Sequence, residues 1–164
     1  MASTIRIQWA NFFFLASTVL LLMQIGAALW ETVNVVPLMS KAPPASFHIF
    51  QGDYGLTYDF FWITTHAVIE LSLITTLILN WKDKSRRKIL FFVMGIYILV
   101  RIWTILYFAP TVMSFWTYPY SNTVDEALRQ RVKTWGILSI IRTVIIACVT
   151  FSMIPYNKKA YSEN

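Results

Sequence analysis

Five polar side chains that could take part in catalysis or binding interrupt otherwise apolar stretches of the sequence: Gln24, His66, Glu70, Arg101 and Arg142. Placing an ionisable group inside a membrane costs about 2.5–3.5 kcal/mol on insertion scales, so such a group needs a partner or a function. His66 and Glu70 are four residues apart, which places them on one face of a helix. Glu70 would orient the imidazole and stabilise its charged form, so the two residues are candidates for a catalytic acid–base couple.

The two arginines predict a binding site for an anion. One of them would pair with Glu70, and Glu70 would not neutralise the positive charge of the other. A guanidinium in a dry environment suits a carboxylate, a phenolate, an enolate or a phosphate. We expect no metal site, because the arginines would repel a cation. The residues assigned to substrate binding are those in the same layer or one to two turns from an arginine: Arg101, Arg142, Gln24, Tyr97 and Trp135.

The elements that carry these residues are predicted to be membrane spans. The chain has 164 residues, of which 57% are hydrophobic and 13% charged, whereas soluble domains have about 25% charged residues. Stretches of about 20 mostly apolar residues can cross a bilayer as helices, and they occur at 10–29, 60–81, 89–108 and 134–154. We therefore expect one all-α membrane domain over residues 1–164, a polytopic four-helix bundle. At about 1.5 Å per residue, the five polar groups fall in one layer, in the outer half of the bilayer.

The distribution of Lys and Arg predicts the orientation of the spans. Eight of these residues lie at the N-terminus, in the 82–88 turn and at the C-terminus, against four in the 31–59 and 109–133 loops. Positive loops stay inside, so we expect both termini in the cytoplasm and two longer loops outside, in a bacterial inner membrane. The basic run 82–88 then faces anionic lipid heads. Nucleic-acid binding is not expected, because no separate domain presents this charge.

The ends of the helices are predicted from local signals. Pro110 and Pro155 lie just past the third and fourth spans, where we expect these helices to stop. Thr123 is the expected N-cap of a short amphipathic helix over 124–133, with Glu126 completing a capping box. Glu31 would lie in the outer loop, at the interface and solvated.

Two segments resemble the anthrone-oxygenase-like family of small four-span membrane proteins, most of which have no known function. The stretch 129–143 contains Trp135 followed by Arg142-Thr143, which looks like the family's recurring Trp and Arg-Thr at the start of the last helix. The end of the first span, leading into Val35-Val36-Pro37, is also similar. The resemblance implies that molecular oxygen oxidises a lipophilic phenolic or quinonoid molecule without a tightly bound cofactor. His66, with Glu70 behind it, would be the base, and the arginines would hold the anion.

Two other functions stay open at this point. The protein could be a non-catalytic binder or carrier of an anionic lipophile, such as a fatty acid, which needs the arginines but no acid–base couple. It could also be a structural subunit of a larger membrane complex. In that case Glu70 and an arginine would form a salt bridge that locks the bundle, and His66 and Gln24 would make interhelical hydrogen bonds. Membrane lipids are expected partners in every case, and the oligomeric state is open.

Overall fold

Most of the chain that the structure describes is helical. The computed structural model describes residues 2–57 and 59–162, and the side chains of 5–57 and 59–157. All regular structure in these ranges is helical, which confirms the all-α prediction. The α-helices are α1 (Ala2–Trp30), α2 (Val36–Ser40), α3 (Asp59–Leu79), α4 (Lys84–Trp103), α5 (Ala109–Trp116) and α6 (Glu126–Ser162). A 3₁₀ turn (Ala45–Phe50) and two π-helical segments (Glu31–Val35 and Thr104–Phe108) lie between them.

Four helical stretches are long and apolar enough to cross a membrane, as the composition predicts. They are Ile5–Ser40, Asp59–Leu79, Lys84–Trp116 and Glu126–Asn157. Three of them are 32 to 36 residues long and extend well past the predicted spans. The first parts of the predicted 31–59 and 109–133 loops are therefore helical, since the chain stays helical to Ser40 and to Trp116.

Proline does not end the spans, because the helix widens ahead of it. Proline cannot donate to the carbonyl four residues earlier, and its ring clashes with that carbonyl. Each π-helical segment begins six residues before a proline, Glu31 before Pro37 and Thr104 before Pro110. In the wider turn the Val36 amide donates to the Glu31 carbonyl, five residues back. The prediction that Pro110 stops the third helix is therefore wrong.

The fourth span also differs from its predicted ends. Pro155 lies inside α6, so the prediction that it stops the helix is wrong. Membrane helices tolerate proline, since neighbouring groups can satisfy the freed carbonyl. The predicted short helix is present as the first turns of α6, but its cap is not Thr123. Asp125 takes this role, because its Oδ1 accepts the Leu128 amide at 2.9 Å.

The chain forms two compact units. Unit 1 comprises residues 1–25, 61–99 and 145–164, and unit 2 comprises 26–60 and 100–144. The side chains of Lys158 and Lys159, counted above with the cytoplasmic charges, lie outside the residues described. The single membrane domain over 1–164 stays a prediction.

In unit 1, Arg86 is a buried hub rather than a lipid-facing residue. Its side chain donates to Asn11 Oδ1 at 2.6 Å, Asn80 Oδ1 at 2.9 Å and the Tyr156 carbonyl at 3.1 Å. It is 7% exposed, so the expectation that the whole basic run faces lipid heads is wrong for Arg86. The three oxygen acceptors replace hydrogen bonds to water, which lets the cation be buried.

Hydroxyl groups fix which face of α3 packs against α1 within unit 1. Ser17 Oγ lies 2.7 Å from Ser72 Oγ and 2.8 Å from Thr76 Oγ1, and Thr76 also donates to the Phe13 carbonyl. Such contacts between small polar residues are a common way to join helices in membranes. Ser72 and Thr76 belong to the same buried side of α3 as His66.

Unit 2 has its own hydrophobic core, built from the segments around α2, α5 and the start of α6. Its buried side chains are Val35, Met39, Phe47, Phe108, Val112, Phe115, Leu128, Val132 and Trp135. Phe47 stacks on Phe115 with ring centroids 5.1 Å apart. Gln51 Nε2 donates to the carbonyls of Trp116 and Tyr118, both at 3.1 Å, which joins the two connecting segments.

Candidate functional site

The predicted site residues divide between the two units. Gln24, His66, Glu70 and Tyr97 belong to unit 1, and Arg101, Trp135 and Arg142 to unit 2. The common layer of all five polar groups therefore stays a prediction.

In unit 1 the structure brings His66 and Tyr97 together. His66 Nδ1 lies 2.8 Å from the Tyr97 hydroxyl, and the two residues are 6% and 2% exposed. The Trp62 ring lies over the imidazole with centroids 5.8 Å apart and a 30° tilt. A buried imidazole bonded to a phenol can exchange a proton with it, because each group can donate or accept. The pair joins α3 to α4 and is the candidate acid–base group of unit 1.

Glu70 and Gln24 complete the predicted residues of unit 1. Glu70 is half-buried on α3, one turn after His66. Gln24 is 7% exposed, and in the described part of the chain its Oε1 is buried without a hydrogen-bond partner. A buried acceptor without a donor is costly, so it needs an explanation such as a bound water or ligand. The role of Gln24 as a hydrogen-bonding link between helices stays a prediction.

In unit 2 the guanidinium of Arg142 lies beside Thr104 and Phe108. Its Nη1 donates to Thr104 Oγ1 at 3.3 Å, and its Cζ lies 4.1 Å from the centroid of the Phe108 ring. A cation over an aromatic face is stabilised most where water is excluded. Arg101 is half-buried one helical turn before Thr104. Arg142, on α6, therefore contacts the turn that follows Arg101 on the third span.

Trp135 and Ser139 lie on the same face of α6 as Arg142. Trp135 is 2% exposed and its Nε1 donates to the Phe108 carbonyl at 3.2 Å, so it anchors α6 to the third span. Its predicted contact with substrate stays a prediction. Ser139 is 3% exposed, and among the described residues its Oγ has no hydrogen-bond partner. Along α6, Ser139 lies between Trp135 and Arg142, which both contact Phe108. Its hydroxyl can donate to a bound acid group.

Glu31 is a residue that sequence reasoning missed. It is 6% exposed, so the expectation that it is solvated at the interface is wrong. The reason is that the first helix does not end at Trp30 but continues through the π-helical segment. Pro37, six residues after Glu31, is the signal that the sequence offers for this segment, but the sequence analysis predicts a loop there.

The first and last spans pack closely within unit 2. A Cβ atom at Gly136 would lie 2.7 Å from Val36 Cγ1, so the two segments approach closely there. The two segments run in opposite directions, because Arg129 Nε also donates to the Ser40 carbonyl at 3.1 Å.

We call the group of Arg101, Thr104, Ser139 and Arg142 the unit 2 cationic site. Its two guanidinium groups can bind an anion. Within the described ranges, no group of three His, Cys, Asp or Glu side chains is placed to hold a metal ion.

Comparison of the chain with models of protein families, with curated proteins and with solved structures finds no match. The resemblance to the anthrone-oxygenase-like family therefore stays a prediction.

Proposed function

We propose that the protein is an integral membrane protein that binds the acid group of a lipophilic small molecule at the unit 2 cationic site. The observation that carries this proposal is the position of Arg142, half-buried in a membrane-spanning helix with its guanidinium 4.1 Å from the Phe108 ring. Arg101 adds a second positive charge one turn from Thr104, the residue that Arg142 contacts.

The chemistry of the site favours a carboxylate, a phenolate or an enolate attached to an apolar body. Guanidinium groups bind such oxygens through two parallel hydrogen bonds, and the attraction is stronger where the effective dielectric constant is low. Ser139 supplies a buried hydroxyl on the same face of α6. An apolar body would lie among lipid chains and aromatic residues.

Two arginines of α6 allow a matched test. Arg142 contacts a threonine hydroxyl and a phenylalanine ring, and Arg131 contacts Ser114 Oγ at 3.2 Å and the Phe115 ring at 5.4 Å. Arg131 is exposed. The protein and its Arg142→Gln and Arg131→Gln variants would be purified and analysed by native mass spectrometry with extraction of bound metabolites. We expect a small acidic lipophile in the wild type and in Arg131→Gln, and its loss in Arg142→Gln.

The proposal fails if the ligand is retained in a folded Arg142→Gln variant, or if no preparation carries one. An empty site together with a stoichiometric protein partner would instead favour the structural subunit. Circular dichroism and size exclusion of each variant separate loss of ligand from loss of fold.

A second candidate function is catalytic, and the buried His66–Tyr97 hydrogen bond favours it. In this function the pair, with Glu70 one turn away, takes a proton from a phenolic or polycyclic substrate to form an enolate, which molecular oxygen then oxidises. With anthrone as the substrate, the ring CH₂ becomes a carbonyl. One oxygen atom of O₂ enters the carbonyl, and the other leaves as water with the two hydrogens.

The catalytic function is tested by oxygen uptake with anthrone as the probe. The chain has two histidines, and His48 is exposed with Nδ1 beside the Ala45 carbonyl. We expect turnover to be lost in His66→Gln and Glu70→Gln and retained in His48→Gln. Equal activity in the His66 and His48 variants would exclude His66 as the base.

We also propose that both termini face the cytoplasm of a bacterial inner membrane. The support is the excess of Lys and Arg at the termini and in the 82–88 turn, since positive segments remain on the cytoplasmic side.

A further inference from the structure

We infer that the turn between α3 and α4 carries a binding site for an anionic phospholipid, with the lipid phosphate at Arg87 and an acyl chain along the exposed side of α4. The site lies in unit 1 and uses no residue of the unit 2 cationic site, so it does not rest on the proposed function. The turn joins two helical stretches that can cross a membrane, Asp59–Leu79 and Lys84–Trp116. It therefore lies at the level of the lipid headgroups.

The guanidinium of Arg87 is held over the ring of Trp81. Its Nη1 donates to the Trp81 carbonyl at 3.1 Å, and its Cζ lies 5.4 Å from the centroid of the indole ring. A guanidinium has five N–H donors, and this is the one hydrogen bond that Arg87 makes to the described residues. The remaining donors can bind phosphate oxygens, whose geometry the planar guanidinium matches.

The turn adds further positive charge around Arg87. Three exposed lysines flank it, Lys82, Lys84 and Lys88. The acidic residue of the turn, Asp83, is the N-cap of α4, because its Oδ1 accepts the amides of Ser85 and Arg86 at 2.9 and 3.0 Å. The turn as a whole is thus positive, and a positive segment at the headgroup level attracts anionic lipids.

Beyond the guanidinium, the exposed side of α4 is first aromatic and then open. Phe91 lies one turn after Arg87, and the Trp81 ring packs against it in a T-shaped contact with centroids 5.8 Å apart. Both rings are about half exposed, at 50% for Trp81 and 51% for Phe91. Gly95 lies a further turn along the same face. It is exposed, and apart from the backbone around it no described heavy atom lies within 4 Å of a Cβ built there.

The order of these groups matches the order of groups in a phospholipid. At about 1.5 Å per residue, Gly95 lies about 12 Å from the level of Arg87, which is the depth of the acyl chains for a lipid whose phosphate contacts the guanidinium. The aromatic rings lie between the two, where Trp is common at membrane interfaces. The space at Gly95 can then accept part of an acyl chain.

Two lipids with the same acyl chains test the role of charge. Dioleoyl phosphatidylglycerol carries one negative charge, and dioleoyl phosphatidylcholine is zwitterionic. Native mass spectrometry of the delipidated protein in a non-ionic detergent would give both dissociation constants. We expect the wild type to bind phosphatidylglycerol about tenfold more tightly than phosphatidylcholine. Arg87→Gln should bind phosphatidylglycerol about fivefold more weakly, because one cation near the headgroups contributes about 1 kcal/mol.

Matched variants separate this site from a general effect of charge or of surface shape. The Cζ of Arg131 also lies 5.4 Å from an aromatic ring, and Arg131→Gln should leave the preference for phosphatidylglycerol unchanged. Gly95→Leu should weaken the binding of both lipids severalfold, because it fills the space for the chain. Gly26 has equally open surroundings, and Gly26→Leu should have no such effect.

Three results would overturn the inference. They are equal binding of the two lipids by the wild type, equal losses in Arg87→Gln and Arg131→Gln, and equal effects of the two leucine substitutions. Glycerol 3-phosphate, which has the phosphate without the chains, should not displace phosphatidylglycerol even in excess. Displacement would show instead that the turn binds a soluble phosphate and would exclude a lipid site.

Discussion

At the scale of single residues, Arg86 shows how one side chain can join several segments of unit 1. It reaches Asn11 on α1, Asn80 after α3 and a carbonyl of α6, and its Cζ lies 4.9 Å from the Phe14 ring. Hydrogen bonds to a charged group contribute about 1.5–3 kcal/mol each. These acceptors would lose their donor if the guanidinium were removed.

Arg86→Met should therefore lower the free energy of unfolding by about 3 kcal/mol or more. The neighbouring Arg87, which donates to the Trp81 carbonyl at 3.1 Å, provides the control. Arg87→Met should cost less than about 1 kcal/mol, as is usual for surface substitutions. Denaturant titration in bicelles measures both values, and similar losses in the two variants would contradict the role given to Arg86.

At the scale of elements, the close approach of α6 to the first span depends on Gly136. Small residues at helix interfaces let backbones come together in membranes, and the Cβ of any other residue would meet Val36 there. The packing of α6 on the first span thus depends on one glycine.

Gly136→Ala should destabilise the protein by about 1–3 kcal/mol, as overpacking does in well-packed interiors. Gly26 is the control in the same unit, since no described heavy atom lies within 4 Å of a Cβ built there. Gly26→Ala should be neutral or stabilising by about 0.5–1 kcal/mol. Adding Val36→Ala to Gly136→Ala should recover part of the loss, and thermal melts of the four proteins would show it. Equal effects at the two glycines would argue against the close contact.

The helices themselves were predictable from the sequence, but their ends were not. Four spans follow from the length of the apolar stretches, because a bilayer sets that length. Proline predicts helix ends at Pro110 and Pro155, whereas a π-helical segment precedes Pro110 and Pro155 lies inside α6. Burial of Glu31 was missed because the first helix continues past Trp30. The His66–Tyr97 pair was not foreseen as a pair, since the rotation of α3 against α4 depends on packing such as that of Ser17 with Ser72 and Thr76.

At the scale of the whole molecule, the proposed orientation can be tested directly. Cys148 is the one cysteine of the sequence, so a Cys148→Ala background allows single cysteines to be placed at Ser85 and Asn122. An impermeant maleimide applied to spheroplasts should label Asn122→Cys at once and Ser85→Cys only after permeabilisation, because the positive turn stays inside. The reverse pattern would invert the topology, and labelling of both at once would contradict four alternating spans.

In the proposed function, the positive charge of the unit 2 cationic site recognises an acid group on a lipophile. The most direct test compares dodecanoate with its methyl ester, which has the same chain without the charge, by titration of the protein in zwitterionic nanodiscs. Arginine–carboxylate recognition predicts that dodecanoate binds at least about tenfold more tightly, which corresponds to 1.4 kcal/mol. Equal affinities for the acid and the ester would contradict recognition of the acid group by the unit 2 cationic site.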